Sequence, residues 1–348
     1  MDTVVFRADS SFAIGTGHVM RCLTLAGALR ERGWICHFLC QELKGNINSL
    51  IVQSGFDLVV LPDRSPEKAK AAISDLSPEW VIVDHYDLDA EWEKITIPEG
   101  VRTLVIDDLA NRSHRCDIVL DQNLGRGCAE YKSLVPPGST LLIGPDFALL
   151  RSEFSHQRKP SIKRREHAVA EHLLINFGGS DPIDATTKTL MAVSGELAAW
   201  LKVTVVMGQS ATSLDRVQKL AASIGSQVEV LVQVENMARL MSDADVAIGA
   251  AGSTAWERCC LGLPAGLIII ADNQVPVANG LEAAGAAAIL ADLTRSPDLT
   301  GALAFLQRVR ADREFVRNLS TRSSALTDGQ GANRVADAMD QVGVAKNG

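Results

Sequence analysis

A histidine lies at the predicted start of the first helix, directly after a turn that contains two glycines. His18 follows Gly15-Thr16-Gly17, and this turn comes after the apolar segment Val4-Val5-Phe6. Glycines allow the backbone to turn sharply and to approach a ligand closely. The free N–H groups and the dipole of the helix favour a neutral imidazole, which can accept a proton from water. His18 is therefore a candidate general base, and a plain strand–helix turn with a solvated His18 is the alternative.

The spacing of this turn argues against a nicotinamide cofactor. The dinucleotide fingerprint G-x-G-x-x-G requires a third glycine, but Arg21 stands at that position. The sequence also has no acidic residue at the end of the second predicted strand to bind a ribose. We therefore expect no dinucleotide, and no other cofactor is predicted.

Composition narrows the class of protein. The chain has 348 residues, 47% of them hydrophobic, which is enough for two packed domains. Its net charge of −8, with both signs mixed along the sequence, excludes the basic stripe that nucleic acid requires. No signal peptide is visible, and the longest apolar run, 265–271, is far shorter than the roughly 20 residues of a membrane span. We expect a cytoplasmic monomer that binds neither nucleic acid nor membranes.

The seven cysteines indicate neither disulfides nor a metal site. Their number is odd and no C-x-x-C pair occurs, so most are expected to be small buried apolar residues. Cys36, His37 and Cys40 lie close together in the sequence. Within a strand, however, His37 would point to the opposite face from the two cysteines, so no metal is predicted.

Apolar and helical segments alternate along the chain, which predicts parallel sheets with helices on both faces. Two strands end in polar clusters, Asp84-His85-Tyr86 and Asp107-Asp108. Ligands bind outside the carboxyl ends of such strands, so these clusters should lie near the His18 turn, with Asp84 and Tyr86 close to a substrate. The alternative is that Asp84 and Asp107 only cap the following segments. Arg7 and Arg21 are expected to form ion pairs with Asp9 or Asp107.

The basic, proline-containing stretch 156–167 is predicted to link two domains, 1–155 and 168–348. The second domain begins with the same strand, glycine turn and helix as the first. The predicted fold is therefore α/β, with two Rossmann-like domains facing a cleft, and the last helix packing back on the first domain.

Two small-residue turns in the second half each precede a predicted helix. They are Gly178-Gly179-Ser180 and Gly252-Ser253-Thr254, and such turns suit a diphosphate without lysine or metal. Glu257 lies three residues after Thr254, so its carboxylate could accept both hydroxyls of a ribose. The alternative is a capping box, which the spacing alone favours.

Motifs along nearly the whole chain resemble the UDP-sugar hydrolase family of the pseudaminic acid pathway. They are Arg7-Ala8-Asp9, Gly15-x-Gly17-His18-Val19-Met20-Arg21, Asp84-His85-Tyr86, Asp107-Asp108, the stretch 144–151 and Phe177-Gly178-Gly179-Ser180-Asp181. From Ala251 to Ala286 the chain is also similar to the peptidoglycan N-acetylglucosaminyltransferase, a two-domain glycosyltransferase of the B type. Both resemblances imply the same two-domain architecture.

The resemblance implies roles for particular residues. It places the catalytic histidine at His18 and a catalytic tyrosine at Tyr86, and it assigns ribose binding to Glu257 in preference to the capping box. The remaining substrate-binding candidates are Gly17, Arg21, Asp84, Gly179, Ser180, Gly252, Ser253, Thr254, Asn273 and Gln274. Asp181-Pro182 departs from the way this turn continues in the transferase, so within this turn no contact is carried over beyond Ser180.

The resemblance implies hydrolysis of UDP-2,4-diacetamido-2,4,6-trideoxy-β-L-altropyranose. In that reaction His18 takes a proton from water, water attacks the anomeric carbon with inversion, and UDP leaves, stabilised by the helix starts near Ser180 and Ser253. The alternatives are a UDP-sugar-dependent glycosyltransferase and a noncatalytic UDP-sugar-binding module.

Overall fold

The computed structural model describes residues 2–167, 170–200, 202–209 and 211–345. The chain divides into two compact units: unit 1 comprises Met1–Leu150 and Gln330–Gly348, and unit 2 comprises Arg151–Gly329. Each unit contains a parallel sheet flanked by helices, so the predicted α/β fold with two Rossmann-like domains is confirmed.

Unit 1 is built on a parallel sheet that has seven strands in the described residues, in the order β3-β2-β1-β4-β5-β6-β7. Its central strands are buried along their whole length, which explains their continuous apolar runs. The strands are β1 (Thr3–Ala8), β2 (Ile35–Gln41), β3 (Asp57–Leu61), β4 (Trp80–Asp84), β5 (Arg102–Ile106), β6 (Ile118–Asp121) and β7 (Thr140–Ile143). The first five helices are α1 (Gly17–Glu31), α2 (Asn48–Gln53), α3 (Pro66–Leu76), α4 (Ala90–Thr96) and α5 (Cys128–Tyr131).

Unit 2 repeats this plan with six strands in its described part, in the order β10-β9-β8-β11-β12-β13. The strands are β8 (His172–Asn176), β9 (Lys202–Met207), β10 (Val228–Val232), β11 (Val246–Ala250), β12 (Ala265–Ile269) and β13 (Ala288–Asp292). The helices are α6 (Ser152–Arg165), α7 (Ala185–Trp200), α8 (Leu214–Ile224), α9 (Met237–Asp243), α10 (Thr254–Cys260), α11 (Val275–Ala283), α12 (Thr300–Ala311) and α13 (Arg313–Ser324).

The last helix, α14 (Gly331–Ala345), belongs to unit 1 and packs on α1. Its buried side chains Val335, Ala336 and Met339 join the apolar core around β1. At the surface Arg32 pairs with Asp337 at 2.7 Å. Helix α14 therefore covers part of the apolar core of unit 1.

The stretch 156–167, predicted as a linker, instead lies largely in α6 of unit 2. This helix is too polar to show an apolar period, and it contains Pro160. Its buried polar side chains find partners elsewhere in the unit: Ser161 donates to the Leu261 carbonyl, and Arg165 donates to the carbonyls of Met241 and Ala244. Tertiary hydrogen bonds therefore hold this helix in place, although its sequence has no apolar period from which a helix could be predicted.

Six of the seven cysteines are buried, as predicted, and Cys128 is exposed. Burial raises the pKa of Cys36 and Cys40 to about 12, which makes both thiols unreactive. Among the described residues no group of three or more metal-ligating side chains comes together. No described helix has the length and apolar character that crossing a membrane would require.

Candidate active site

The His18 turn lies where the strand order of unit 1 reverses. The neighbouring strands β1 and β4 are followed by connections that leave in opposite directions, which creates a crevice at their carboxyl ends. Helix α1 begins at Gly17 directly after the turn, and Asp84 is the last residue of β4. The sheet topology therefore brings together His18 and Asp84, which are 66 residues apart in the chain.

His18 forms a close pair with Asp84. Its Nδ1 atom is 2.6 Å from the Asp84 Oδ1 atom, and the two residues are 5% and 0% exposed. A carboxylate at this distance accepts the Nδ1 proton and leaves the lone pair of Nε2 available. The arrangement therefore fixes the orientation of the imidazole, with Nδ1 directed to Asp84 and Nε2 directed away from it.

Arg21 lies on the same face of α1 as His18 and also binds Asp84. It lies one turn after His18 and donates from Nε to the Asp84 Oδ2 atom at 2.6 Å, and from Nη2 to Oδ1 at 2.5 Å. Its Nη1 atom donates to both oxygens of Asp108, at 2.9 and 2.7 Å. Arg21 thus connects the ends of β4 and β5.

The charges in this cluster stabilise one another. Burial alone would raise the pKa of Asp84, but the adjacent Arg21 and His18 hold it well below its usual range. Burial alone would lower the pKa of Arg21, but Asp108 and Asp84 raise it well above its ordinary value. Asp84 is therefore ionised near neutral pH and pairs with His18 as a carboxylate.

Tyr86 packs edge-on against His18. The two ring centroids are 4.5 Å apart with an interplanar angle of 80°, a favourable aromatic geometry. Its hydroxyl is 3.4 Å from the Asp108 Oδ2 atom, and the side chain is half-buried. Gly17, beside His18, is exposed. The structure thus gathers the unit 1 candidates Gly17, His18, Arg21, Asp84 and Tyr86 at one edge of the sheet.

Two predictions for these residues need correction. Asp84 was expected to contact a substrate, but it is fully buried and its oxygens bond to His18 and Arg21. Arg21 was expected to pair with Asp9 or Asp107, but its partners are Asp84 and Asp108, and its guanidinium is likewise enclosed. Asp84 therefore contacts His18 directly, and Arg21 contacts Asp84.

The other arginine prediction is confirmed, because Arg7 donates to both oxygens of Asp9, at 2.7 and 2.8 Å. Asp107 caps the segment that follows its strand, as the alternative prediction stated. It accepts hydrogen bonds from the backbone N–H groups of Leu109 and Ala110 and pairs with Arg112. These groups stabilise loops of the crevice.

Sequence reasoning missed a buried tyrosine beneath this edge. The Tyr131 hydroxyl is 2.8 Å from the Asp121 Oδ2 atom and 3.1 Å from the Asp107 Oδ2 atom, bridging the ends of β6 and β5. Burial raises the pKa of Asp121 to about 6, although Arg126 pairs with it at 2.6 Å. The signal was available in Asp121, a polar residue at a strand end like Asp84.

In unit 2, the turn Gly178-Gly179-Ser180 follows strand β8 and the turn Gly252-Ser253-Thr254 follows strand β11. These two strands are neighbours at the point where the strand order of this sheet reverses. Gly178 has a φ of +88°, which a side chain would strain, and the Gly179 carbonyl accepts from the Gly208 N–H at 3.1 Å. The turn is therefore anchored against the end of β9.

The predicted anion site at the start of α7 needs correction. The helix begins at Ala185, five residues beyond Ser180. Its first free N–H groups, those of Ala185 and Thr186, donate to the buried Asp181 carboxylate at 2.8 and 2.9 Å. Because Asp181 occupies the N-terminus itself, Gly179 and Ser180 can contribute only through their own turn.

The capping box predicted by spacing at α10 does not form. Ser253 is the N-cap residue, and no side chain caps the helix. The Glu257 Oε1 atom lies instead 3.7 Å from the Arg151 Nη2 atom, with the Glu257 side chain 16% exposed. The Glu257 carboxylate therefore makes no capping bond to its own helix.

Gln274 lies beside this turn. A short 3-10 turn, Asp272–Gln274, follows β12, and the Gln274 Oε1 atom accepts from the Ile270 N–H at 3.2 Å. Its Nε2 atom would be 4.0 Å from a Cβ atom built on Gly252. Asn273 and Ser253 are exposed. Gly252 and Gln274 are therefore brought together, with Ser253 and Asn273 open to solvent.

A buried arginine behind the turn was also missed. Arg258 is 2% exposed, donates to the Ala250 carbonyl, and reaches the Thr254 Oγ1 atom at 3.3 Å. A Cβ atom on Gly249 would lie 2.8 Å from its Nη1 atom and closer still to the backbone carbonyl oxygen of Asn176, which cannot move aside, so this position requires glycine. The i, i+4 spacing of Thr254 and Arg258 was the available signal.

Burial raises the pKa of Glu257 to about 7, while Arg151 and Arg258 oppose this shift. The folded protein therefore binds the proton more tightly than the unfolded chain does, and Glu257 lowers stability as the pH rises from about 4.5 through 7. We expect Glu257→Gln to stabilise the fold by about 1–3 kcal/mol at pH 8 and to have little effect near pH 5. Urea unfolding at both pH values measures this, with the exposed Glu229→Gln as control; equal effects at both pH values would contradict it.

The fold is similar to that of solved two-domain glycosyltransferases. MurG of Acinetobacter baumannii has a TM-score of 0.69 and 16% identity, covering 98% of this chain and 100% of its own. A Streptomyces glycosyltransferase, SsfS6, complexed with thymidine diphosphate, has a TM-score of 0.62 and 16% identity, covering 97% of this chain and 100% of its own. Residues 173–338 match the glycosyltransferase family 28 C-terminal domain.

Sequence relatives confirm the resemblance stated from the motifs. The UDP-2,4-diacetamido-2,4,6-trideoxy-β-L-altropyranose hydrolase of Campylobacter jejuni is 29% identical over 81% of this chain and 97% of its own length. The spore coat polysaccharide biosynthesis protein SpsG of Bacillus subtilis is 24% identical over 96% of this chain and 97% of its own. An uncharacterized protein of Methanocaldococcus jannaschii is 28% identical over 77% of this chain, which spans only 55% of that relative.

Proposed function

We propose that this protein hydrolyses a UDP-activated 2,4-diacetamido-2,4,6-trideoxyhexose of the L-altrose type, releasing UDP and the free sugar in pseudaminic acid biosynthesis. The relative from Campylobacter supports the substrate class. The observation that carries the proposal is the 2.6 Å contact between His18 and Asp84 at the point where the strand order reverses. A base with one free nitrogen at such a crevice suits the activation of water.

In the proposed reaction the His18 Nε2 atom takes one proton from water. The water oxygen forms a bond to the anomeric carbon while the bond from that carbon to the diphosphate oxygen breaks, and UDP leaves with the electron pair. Attack from the face opposite the leaving group inverts the anomeric configuration. Asp84 holds the Nδ1 proton of His18 throughout, and Arg21 with Asp108 holds Asp84 in place.

Unit 2 is proposed to bind the nucleotide. Glu257 would accept the ribose hydroxyls, since no capping bond competes for its carboxylate. The diphosphate would be bound by backbone N–H groups and hydroxyls of the turns, and Asn273 and Gln274 would contact the sugar or the diphosphate. The turn residues concerned are Gly179, Ser180, Gly252, Ser253 and Thr254.

Tyr86 is proposed to orient the water or a sugar hydroxyl. We expect Tyr86→Phe to lower kcat about tenfold, the effect of one lost hydrogen bond. Tyr86→Ala should lower it about tenfold more, because the ring also packs against His18. Initial rates of UDP release measure both changes. A Phe variant as active as the wild type would remove the hydroxyl from the mechanism and leave Tyr86 a packing role.

The proposal is tested by incubating the purified protein with the UDP-sugar and no acceptor. Stoichiometric UDP and free sugar are expected. NMR of the reaction in ¹⁸O-labelled water should show the label in the sugar and the inverted anomer as the first product. Label in the phosphate would show cleavage of a different bond, and an unaltered substrate that nevertheless binds would indicate a noncatalytic binding module.

A glycosyltransferase is the second candidate, and the family 28 match over residues 173–338 favours it. In that case His18 would deprotonate an acceptor hydroxyl instead of water. A mixture that stays inert until an acceptor is added would support this candidate against hydrolysis.

A further inference from the structure

Arg151 ends the motif 144–151 that the resemblance singled out but to which no role was attached. It precedes α6, and its guanidinium lies 5.3 Å from the ring centroid of Phe154, which is fully buried. Its Nη2 atom is 2.9 Å from the Glu153 Oε1 atom and 3.7 Å from the Glu257 Oε1 atom. One guanidinium therefore lies between two carboxylates, and it is closer to Glu153.

The charged groups that act most strongly on Glu257 come from two elements. Arg151 and Glu153 lie at the start of α6, and Arg258 belongs to α10 itself. Arg258 is turned away, since its N–H groups donate to the Ala250 carbonyl and the Thr254 hydroxyl. Helix α13 also packs on α10, and near Gly262 it contributes Ser320 and Ser324. Arg151 is thus the cation that meets the Glu257 carboxylate directly.

We propose that Arg151 is a positioning residue that holds the Glu257 carboxylate charged and aligned for the ribose hydroxyls, and that Glu153 competes with Glu257 for it. This inference rests on the proposed role of unit 2 as the nucleotide site. A charged carboxylate accepts hydrogen bonds at both oxygens, whereas a protonated one must use an O–H as donor. Nucleotide affinity should therefore follow the charge of Glu257.

The balance between the two carboxylates predicts opposite effects of two substitutions. Burial raises the pKa of Glu257 to about 7, so its charge changes around neutral pH. Arg151→Met removes the cation and should raise this pKa further. Glu153→Gln removes the carboxylate that competes for Arg151. Arg151 then pairs with Glu257 alone, and the pKa of Glu257 should fall. Arg151→Lys keeps the charge and should restore most of the wild-type behaviour.

Calorimetric titration with UDP-glucose from about pH 6 to 8.5 measures how nucleotide affinity depends on the charge of Glu257. UDP-glucose is suitable because its diphosphate diester does not change its own charge in that range. The wild-type affinity should rise with pH around a midpoint near 7. In Arg151→Met the midpoint should move up by about one pH unit, weakening binding about fivefold at pH 7 and little at pH 8.5. In Glu153→Gln it should move down.

The results distinguish the role of Arg151 from the nucleotide site itself. Wild-type protein that binds neither UDP-glucose nor UDP at any pH would overturn the proposed nucleotide site. Wild-type binding with unchanged midpoints in both variants, or with equal losses at every pH, would overturn the role of Arg151 alone. If Arg151→Met does not fold, Glu153→Gln still decides the matter, because a merely structural Glu153 would not shift the midpoint downward.

Discussion

Replacing His18 by alanine is expected to lower kcat for UDP release about 10²–10⁴-fold, the usual contribution of a positioned general base. The affinity for UDP should stay nearly unchanged, since the nucleotide is assigned to unit 2 and His18 is assigned only to the attacking water. An effect confined to kcat is the signature of a group that acts in the transition state. Steady-state rates of UDP release, with UDP binding measured by calorimetry, check both parts.

His37→Ala is the matched control for this substitution. His37 lies in the same unit on β2 and is half-buried, and it pairs with Asp57 at 3.4 Å, away from the β1–β4 crevice. Its removal should leave kcat unchanged. Full activity of His18→Ala would exclude the imidazole as the base, and an equal loss in both variants would point to a general effect on folding.

The second large effect is expected for Asp84→Asn. The amide cannot supply the negative charge that holds the Nδ1 proton, and it leaves Arg21 with Asp108 as its remaining carboxylate. We expect kcat to fall about 10²-fold, in line with other residues that orient a catalytic histidine or metal ligand from behind. Breaking a buried ion pair should also lower stability by about 3–5 kcal/mol.

A double-substitution cycle distinguishes the two roles of Asp84. If it acts through His18, Asp84→Asn should reduce kcat very little in a protein that already carries His18→Ala. The loss of stability should persist in both backgrounds, because Arg21 remains buried. The same fold reduction of kcat with and without His18 would show that Asp84 acts on the reaction independently.

The pH dependence follows from the same cluster. The pKa of Asp84 lies well below its usual range because Arg21 and His18 offset the effect of burial. A lowered carboxyl pKa contributes stability above the unfolded value, near 4, and this stability is lost only as the pH falls through the folded value. Asp84 therefore stays charged across the neutral and mildly acidic range, and loss of its charge should not limit activity there.

The alternation of apolar and helical segments was sufficient to predict most of the strands and the fold, because strands buried on both faces must be apolar along their length. Five elements were not predicted from this alternation. Helices α4 and α5 are short, strand β13 and helix α11 are rich in small residues, and α6 is mostly polar. Helix α6, for example, is held by hydrogen bonds from Arg165 to the carbonyls of Met241 and Ala244, which no local sequence pattern indicates.

The sequence by itself determined the glycine turn before His18, the polar ends of the strands and the Glu257 position, since these depend on residue type and short spacing. Tertiary structure alone decided their partners. Asp84 contacts His18 because the sheet order makes β1 and β4 neighbours, and the Glu257 carboxylate lies near Arg151 without a capping bond to its own helix. Both outcomes depend on residues far apart in the chain, and only packing of the whole unit brings such charges within hydrogen-bonding or ion-pair distance.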